Sequence, residues 1–355
     1  MNQYSSENIP YFLNNQFKSI PNKFDGIITG HSYNSINSLD ISTNGKYLVT
    51  GDCASNIAVW NFQTGKLLYC LTHNGGFPLI GKSRSIIPSV QPVTVQIIPN
   101  TDFLLSECQN AFIWDLNTAI LLNKYYYGCS TVILDPEGNL LTITLGLNNA
   151  ILVFDCKPNE SLDEHKLLHT LKGHTDDIND YKITPNNRLI SCSSDNTIKI
   201  WNLKTGVLEK TIKKDHRWYH FLTGHSTRVS EVLVNFDGSL LVSHHYDSYS
   251  TENTLNTFNV WDINDDYKLI NTFSGNQCFP QKSLISPNEN ILVTLYPSEI
   301  EIRDLMGKLV KTIKMEGYRE NNMKWNWEAN HLSISPNGKE IIVGCSDGTV
   351  KIWTL

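Results

Sequence analysis

The chain lacks most of what would mark a secreted, membrane-spanning or catalytic protein on sight. Its eight cysteines, at 53, 70, 108, 129, 156, 192, 278 and 345, form no Cys-x-x-Cys pair and no cluster with metal-ligand spacing. Cys53, Cys192 and Cys345 fall at or near the end of equivalent strands, where a small apolar side chain fits, so we read the thiols as reduced packing residues in a reducing compartment. The start, MNQYSSENIPYFLNN, has no basic segment followed by an apolar run. No stretch approaches the roughly 20 apolar residues that span a bilayer. These absences predict no membrane insertion and a cytoplasmic protein, or a nuclear one in a eukaryote. Positive charge is also scarce: 29 Lys and Arg against 35 Asp and Glu give a net charge of −6, which argues against a general polyanion surface. There is no glycine-rich phosphate loop, no nucleophile elbow and no group of carboxylates at ligand spacing.

What the chain does have is a repeat. A phrase most complete at Gly173 and His174, continuing to ITPNNRLISCSSDNTIKIWN, returns seven times. Its closing residue falls at Trp60, Trp114, Phe154, Trp201, Trp261, Arg303 and Trp353, with steps of 40 to 60 residues. The turn before the second strand of each phrase falls at Thr43, Pro99, Pro136, Pro185, Phe236, Pro287 and Pro336, again seven times. The two series stretch in different places, as insertions in loops between strands of constant length would make them do.

Within a unit, runs such as RLISCS and TIKIW are bounded by Asn, Gly, Asp and Pro, which predicts strands and turns and no helices. The fourth unit reads as strands a to d over 178–184, 189–193, 197–202 and 207–212, a four-stranded meander.

The Gly-His to Trp-Asp phrase resembles that of the WD-repeat family over residues 24–355. The resemblance implies an all-β, seven-bladed β-propeller of four-stranded antiparallel blades, preceded by an arm at 1–23 that is either flexible or docked. Unit two lacks Gly-His, unit three has Phe154 and Asp155 for Trp-Asp, and unit six has Asn276 for the His and Arg303 at the close. The seventh unit stops after its third strand, and aligning FDGIITGH with LLHTLKGH places Asp25 to Thr29 as the missing fourth, closing the ring.

In this family a His, a Ser or Thr, an Asp and the Trp form a hydrogen-bonded set within a blade. The matching positions are His174, Ser191, Asp195 and Trp201, and more loosely His225, Ser243, Asp247 and Trp261. Unit one has Ala54 at the turn Asp with Asp52 nearby, and unit seven has Trp325 where His would fall, so blades four and five should be best anchored. A Ser/His/Asp set has the composition of a hydrolase triad, yet here the repeat itself supplies it, and nothing in the sequence adds an oxyanion site.

Function is sought in the insertions. Long d-to-a links precede units two (Thr72 to Pro88), five (Lys213 to Thr223) and seven (Met315 to Trp327), and Asp247 to Trp261 spans 14 residues where Asp195 to Trp201 spans 6. In a meander these two loop types share one end, which in the family is the end that usually binds partners. They carry Lys82, Arg84, Arg217, Trp218, Tyr219, Tyr318, Arg319, Trp325 and Trp327, the residue types of binding hot spots. The leading expectation is a non-enzymatic scaffold that is monomeric alone, needs no cofactor and holds a protein or peptide on this rim within a larger complex. The alternatives are an enzyme or metal site at the channel mouth, with zinc on a subset of His216, His220, His225, His244 and His245, and weak nucleic-acid binding through Lys213, Lys214, Arg217, Lys82 and Arg84.

Overall fold

The computed structural model describes residues 26–29, 34–72, 93–98, 101–108, 111–125, 131–134, 140–146, 149–156, 166–213, 228–246, 256–276, 278–287, 290–315, 319–320, 323–324 and 329–355. Among these there is no helix. The strands, in chain order, are β1 (Gly26–Thr29), β2 (Ile36–Ile41), β3 (Tyr47–Asp52), β4 (Asn56–Asn61), β5 (Leu67–Thr72), β6 (Thr94–Ile97), β7 (Phe103–Glu107), β8 (Ala111–Asp115), β9 (Ile120–Tyr125), β10 (Thr131–Leu134), β11 (Leu140–Gly146), β12 (Ala150–Cys156), β13 (Lys166–Lys172), β14 (Ile178–Ile183), β15 (Arg188–Ser193), β16 (Thr197–Asn202) and β17 (Leu208–Lys213). They continue as β18 (Arg228–Val234), β19 (Leu240–Tyr246), β20 (Asn256–Asp262), β21 (Lys268–Ser274), β22 (Lys282–Ile285), β23 (Ile291–Leu295), β24 (Glu299–Asp304), β25 (Leu309–Lys314), β26 (Arg319–Glu320), β27 (Met323–Lys324), β28 (Ala329–Ile334), β29 (Glu340–Cys345) and β30 (Thr349–Thr354).

Six consecutive quartets, from β2–β5 to β22–β25, are four-stranded antiparallel meanders, and β28, β29 and β30 form a seventh sheet whose fourth strand is β1. Gly26 to Thr29 pair with Ile352 to Thr349 in regular antiparallel register, so the two distant ends of the chain share one sheet. The chain divides into two compact units: residues 1–128 with 316–355, and residues 129–315.

Local chemistry sets the turns. The tight b-to-c turns place Ser55, Asn149, Asn196 and Gly348 at φ of 65°, 57°, 62° and 78°, the left-handed region that Asn and Gly tolerate best. In the first, fourth and fifth sheets, strands two and three are nearly continuous buried runs, with both faces covered. Between the first and second sheets, Val49, Ile57 and Val59 meet Val95, Leu104 and Phe112. Between the seventh and first, Ile342, Val350 and Ile352 meet Ile36, Leu39 and Leu48. The second unit repeats the arrangement between its third and fourth, fourth and fifth, and fifth and sixth sheets.

Both edge strands are irregular. The pairing of strands three and four shifts register in the first six sheets, always at the position of the closing residue (Trp60, Trp114, Phe154, Trp201, Trp261, Arg303). Such bulges twist an edge strand and discourage another chain from pairing with it. The first strands of sheets one, four, five and seven also shift, beside Asn37, Asn179, Ser230 and Asn330.

The residue after that bulge ties each of these sheets to the next. Ser38 Oγ accepts the Val95 N–H at 3.1 Å, Asp180 that of Val232 at 3.1 Å, Glu231 that of Ser283 at 3.2 Å, and His331 Nδ1 that of Leu39 at 3.4 Å. The bulge residue adds a second tie in two cases: Asn179 donates to the Val229 carbonyl at 2.7 Å and Asn330 to that of Ile36 at 3.1 Å.

Candidate functional site

The polar residues that the repeat supplies are consumed inside the sheets. In the fourth sheet Trp201 Nε1 donates to Ser191 Oγ at 2.9 Å, and that hydroxyl lies 2.8 Å from His174 Nε2. His174 Nδ1 lies 2.9 Å from Asp195 Oδ2. Burial lowers the His174 pKa although Asp195 draws it the other way, so the ring is neutral at pH 7. Its Nδ1–H donates to the carboxylate, which leaves Nε2 to accept the Ser191 O–H. Asp195 also takes the Thr175 and Thr197 amides at 3.0 and 2.9 Å and the Thr197 hydroxyl at 2.6 Å. Burial works against its charge, yet these bonds hold its pKa below the ordinary value. The order of protons is that of a hydrolase triad, but Ser191 is 0% exposed and already accepts from an indole, so no substrate reaches it in this arrangement.

The indole-to-hydroxyl half recurs more widely than the whole set. Trp60 donates to Thr50 at 3.0 Å, Trp114 to Ser106 at 2.8 Å and Trp261 to Ser243 at 2.9 Å. In the fifth sheet the imidazole beside Ser243 is that of His245, at 3.0 Å on the same strand; His225 and Asp247 lie outside the described residues. In the first sheet Asp52 takes the place of the turn Asp, with Oδ1 2.8 Å from the amides of both Ala54 and Asn56.

Of the residues expected to bind a partner, Lys82, Arg84, Arg217, Trp218, Tyr219, Tyr318, Trp325 and Trp327 lie outside the described residues, and Arg319 is placed by its backbone alone, in β26. His216 and His220 lie outside them too. His244 and His245 have separate partners: His244 Nε2 is 2.9 Å from Asn256 Oδ1, and its Nδ1 meets Ser230 Oγ. Burial pushes His244 down to about 4. Among the described residues no group of three or more His, Cys, Asp and Glu is arranged to hold a metal ion. Cys192 and Cys345 are buried with raised pKa values, whereas Cys70 and Cys278 are exposed.

The structure also brings together residues that sequence reasoning passed over. Arg228 and Tyr246 are register partners at the loop-bearing end of the fifth sheet, and Phe279 from the following link meets the Tyr246 ring. The only sequence signal was positional, since these residues sit at the ends of a first and a second strand and in a d-to-a link.

Three segments, 22–61, 165–202 and 325–354, match the family model described as WD domain, G-beta repeat. The chain carries the WD-repeat unit at these three positions. The second match runs from the fourth strand of one sheet, β13, to the third strand of the next, β16; the first runs likewise from β1 to β4. The sequence unit is thus out of step with the sheet by one strand. The chain is similar to the small ribosomal subunit protein RACK1 of Drosophila melanogaster, with 29% identity over 55% of this chain and 56% of that protein. It is similar to autophagy-related protein 16 of Arabidopsis thaliana, at 25% identity over 68% of this chain and 43% of the relative. Nuclear distribution protein PAC1-2 of Uncinocarpus reesii (strain UAMH 1704) is 27% identical over 54% of this chain and 43% of its own length. The chain spans about half the length of the curated relatives it matches. Among the described residues no helix is long and apolar enough to cross a membrane.

Proposed function

We propose that the seven sheets compose one seven-bladed propeller, closed by the β1–β30 pairing, that acts as a non-enzymatic scaffold for a protein or peptide partner. The observation that carries this reading is the inward commitment of the repeat's chemistry: Ser191, His174 and Asp195 satisfy one another and Trp201 beneath the surface. Recognition then falls to the connections at the d-to-a and b-to-c ends, where the insertions lie. The relatives' printed names, which place one in the small ribosomal subunit and tie others to autophagy and nuclear distribution, support a role as a component of a larger assembly. A reducing, intracellular setting belongs to the same proposal and rests on Cys192 and Cys345 serving as buried packing thiols.

Affinity capture tests the reading. Wild type is compared with a Trp218→Ala, Trp325→Ala, Trp327→Ala variant whose melting curve is unchanged. Loss of co-purifying proteins in the variant is expected; identical capture by the two would sink the rim assignment.

A further inference from the structure

Arg228, Tyr246 and Phe279 form a surface cluster, with Arg228 and Phe279 exposed and Tyr246 half-buried, that the internal hydrogen-bonded sets do not use. The Arg228 guanidinium stands 5.2 Å from the centroid of the Tyr246 ring. Phe279 meets the same ring edge-on, with centroids 4.9 Å apart and planes at 89°, yet remains 45% exposed. A phenyl ring left this open forgoes burial worth about 25 cal/mol for each Å² of apolar surface, which a partner covering it would recover.

The cluster is braced from below. Asn256 Nδ2 donates to the carbonyls of Asn276 at 2.6 Å and Cys278 at 2.5 Å, and its Oδ1 accepts from His244. The Asn276 amide donates to the Tyr296 hydroxyl at 3.1 Å. At Gly275 a Cβ would stand 2.7 Å from both Phe258 and the Tyr296 hydroxyl, so the backbone passes where no other residue fits. His244 closes the floor, its ring centroid 4.8 Å from that of Phe258 and 5.9 Å from that of Phe279. An aromatic side chain on so constrained a backbone loses little freedom when a partner arrives, which favours tight binding.

Among the described residues Arg228 has no carboxylate partner, and its inner neighbour His244 is a neutral ring. A negative group from outside would complete it. We infer that Arg228, Tyr246 and Phe279 form a recognition corner for a peptide segment that sets a carboxylate side chain beside an apolar or aromatic one. The carboxylate pairs with the guanidinium, a planar fork suited to two parallel hydrogen bonds, while the apolar neighbour covers Phe279. This deepens the interaction reading of the same rim and rests on it. A peptide is favoured over a nucleic acid because a phosphate backbone demands several cations in register, and among the described residues this corner offers one, on a chain of net charge −6.

The experiment selects from a phage-displayed random heptapeptide library on the immobilised full chain, as wild type, Arg228→Glu, Phe279→Ala and the triple Trp variant. Wild type should enrich Asp or Glu next to Phe, Tyr, Trp or Leu. Arg228→Glu should invert the charge preference to Lys and Arg, an outcome that misfolding cannot produce. Phe279→Ala should weaken the selected peptides at least tenfold. The inference is overturned if wild type enriches no acidic residue or if Arg228→Glu selects the same sequences. Peptides lost in the triple Trp variant but indifferent to Arg228→Glu would leave the rim reading standing and remove this corner; no enrichment by any form would remove both. A labelled uridine oligonucleotide serves as the remaining arm, and Arg228-dependent binding of it without peptide selection would make the corner a nucleic-acid contact and overturn the proposal.

Discussion

Asp180, on the first strand of the fourth sheet, accepts the backbone N–H of Val232, on the first strand of the fifth, at 3.1 Å. The same carboxylate holds Lys182, with Nζ 3.0 and 3.1 Å from its two oxygens. Ser38, Glu231 and His331 make the equivalent tie elsewhere, so the position requires an acceptor at the right reach and is indifferent to its chemical type. A purely apolar contact between sheets would permit sliding; a directional bond at one register position sets their relative height.

Asp180→Ala removes the acceptor from the buried Val232 amide and the counter-charge from Lys182, whose side chain is 41% exposed, so that the ion pair adds little. We expect a loss of about 1 to 3 kcal/mol in urea unfolding followed by tryptophan fluorescence. Asp180→Asn, which keeps an acceptor, should lose less. Equal midpoints for Asp180→Ala and wild type would refute the tie.

Ser191 joins a donor to an acceptor: its hydroxyl oxygen accepts from the Trp201 indole, and its own proton goes to His174 Nε2. Ser191→Ala is therefore expected to cost about 1 to 3 kcal/mol, and Asp195→Ala a similar amount through the Thr175 and Thr197 amides. Because both act on one chain of bonds, the double variant should lose clearly less than the sum. Strict additivity in a double-mutant cycle would show that the chain is not cooperative.

Glu107 closes β7 with Oε1 buried and unpaired, and burial pushes its pKa up to about 7 against an ordinary 4.5. The folded protein then binds this proton more tightly than the unfolded chain does. Its contribution to stability is complete below pH 4.5 and is lost as pH rises through 7, on the order of 3 kcal/mol. Relative to wild type, Glu107→Gln should gain stability progressively over that interval. Parallel stability-against-pH curves for the two proteins would contradict the assignment.

β1 contributes the fourth strand of the β28–β30 sheet through pairs from Gly26–Ile352 to Thr29–Thr349. Deleting residues 1–30 exposes the β30 edge, whereas deleting 1–20 leaves β1 in place. The longer truncation should melt far below the shorter one, by ten degrees or more if several kcal/mol are lost. Coincident thermal transitions would mean that β1 adds nothing to the sheet.

Much of the architecture was legible beforehand because it is written locally. Alternating and continuous apolar runs with Asn, Gly and Asp between them placed β14 to β17 within a residue or two. FDGIITGH announced β1 because it duplicates LLHTLKGH, whose strand precedes another Gly-His. The acceptors between sheets were not legible: Ser, Asp, Glu and His share no motif, and their partners lie 52 to 292 residues away. Nor was the contact in the fifth sheet between Ser243 and His245, since a side chain two residues along a strand reaches the same face by pleat geometry alone.

The amino-acid order by itself determined the period, the four-strand meander and the identity of the polar groups drawn into the fourth sheet, because these are written within one repeat unit. Only the tertiary structure decided which hydroxyl meets which indole across strands, how one sheet is held at the height of the next, and that Arg228, Tyr246 and Phe279 share one corner. Those outcomes depend on strand register and on bulges, and a shift of a single residue would turn each of these side chains to the opposite face.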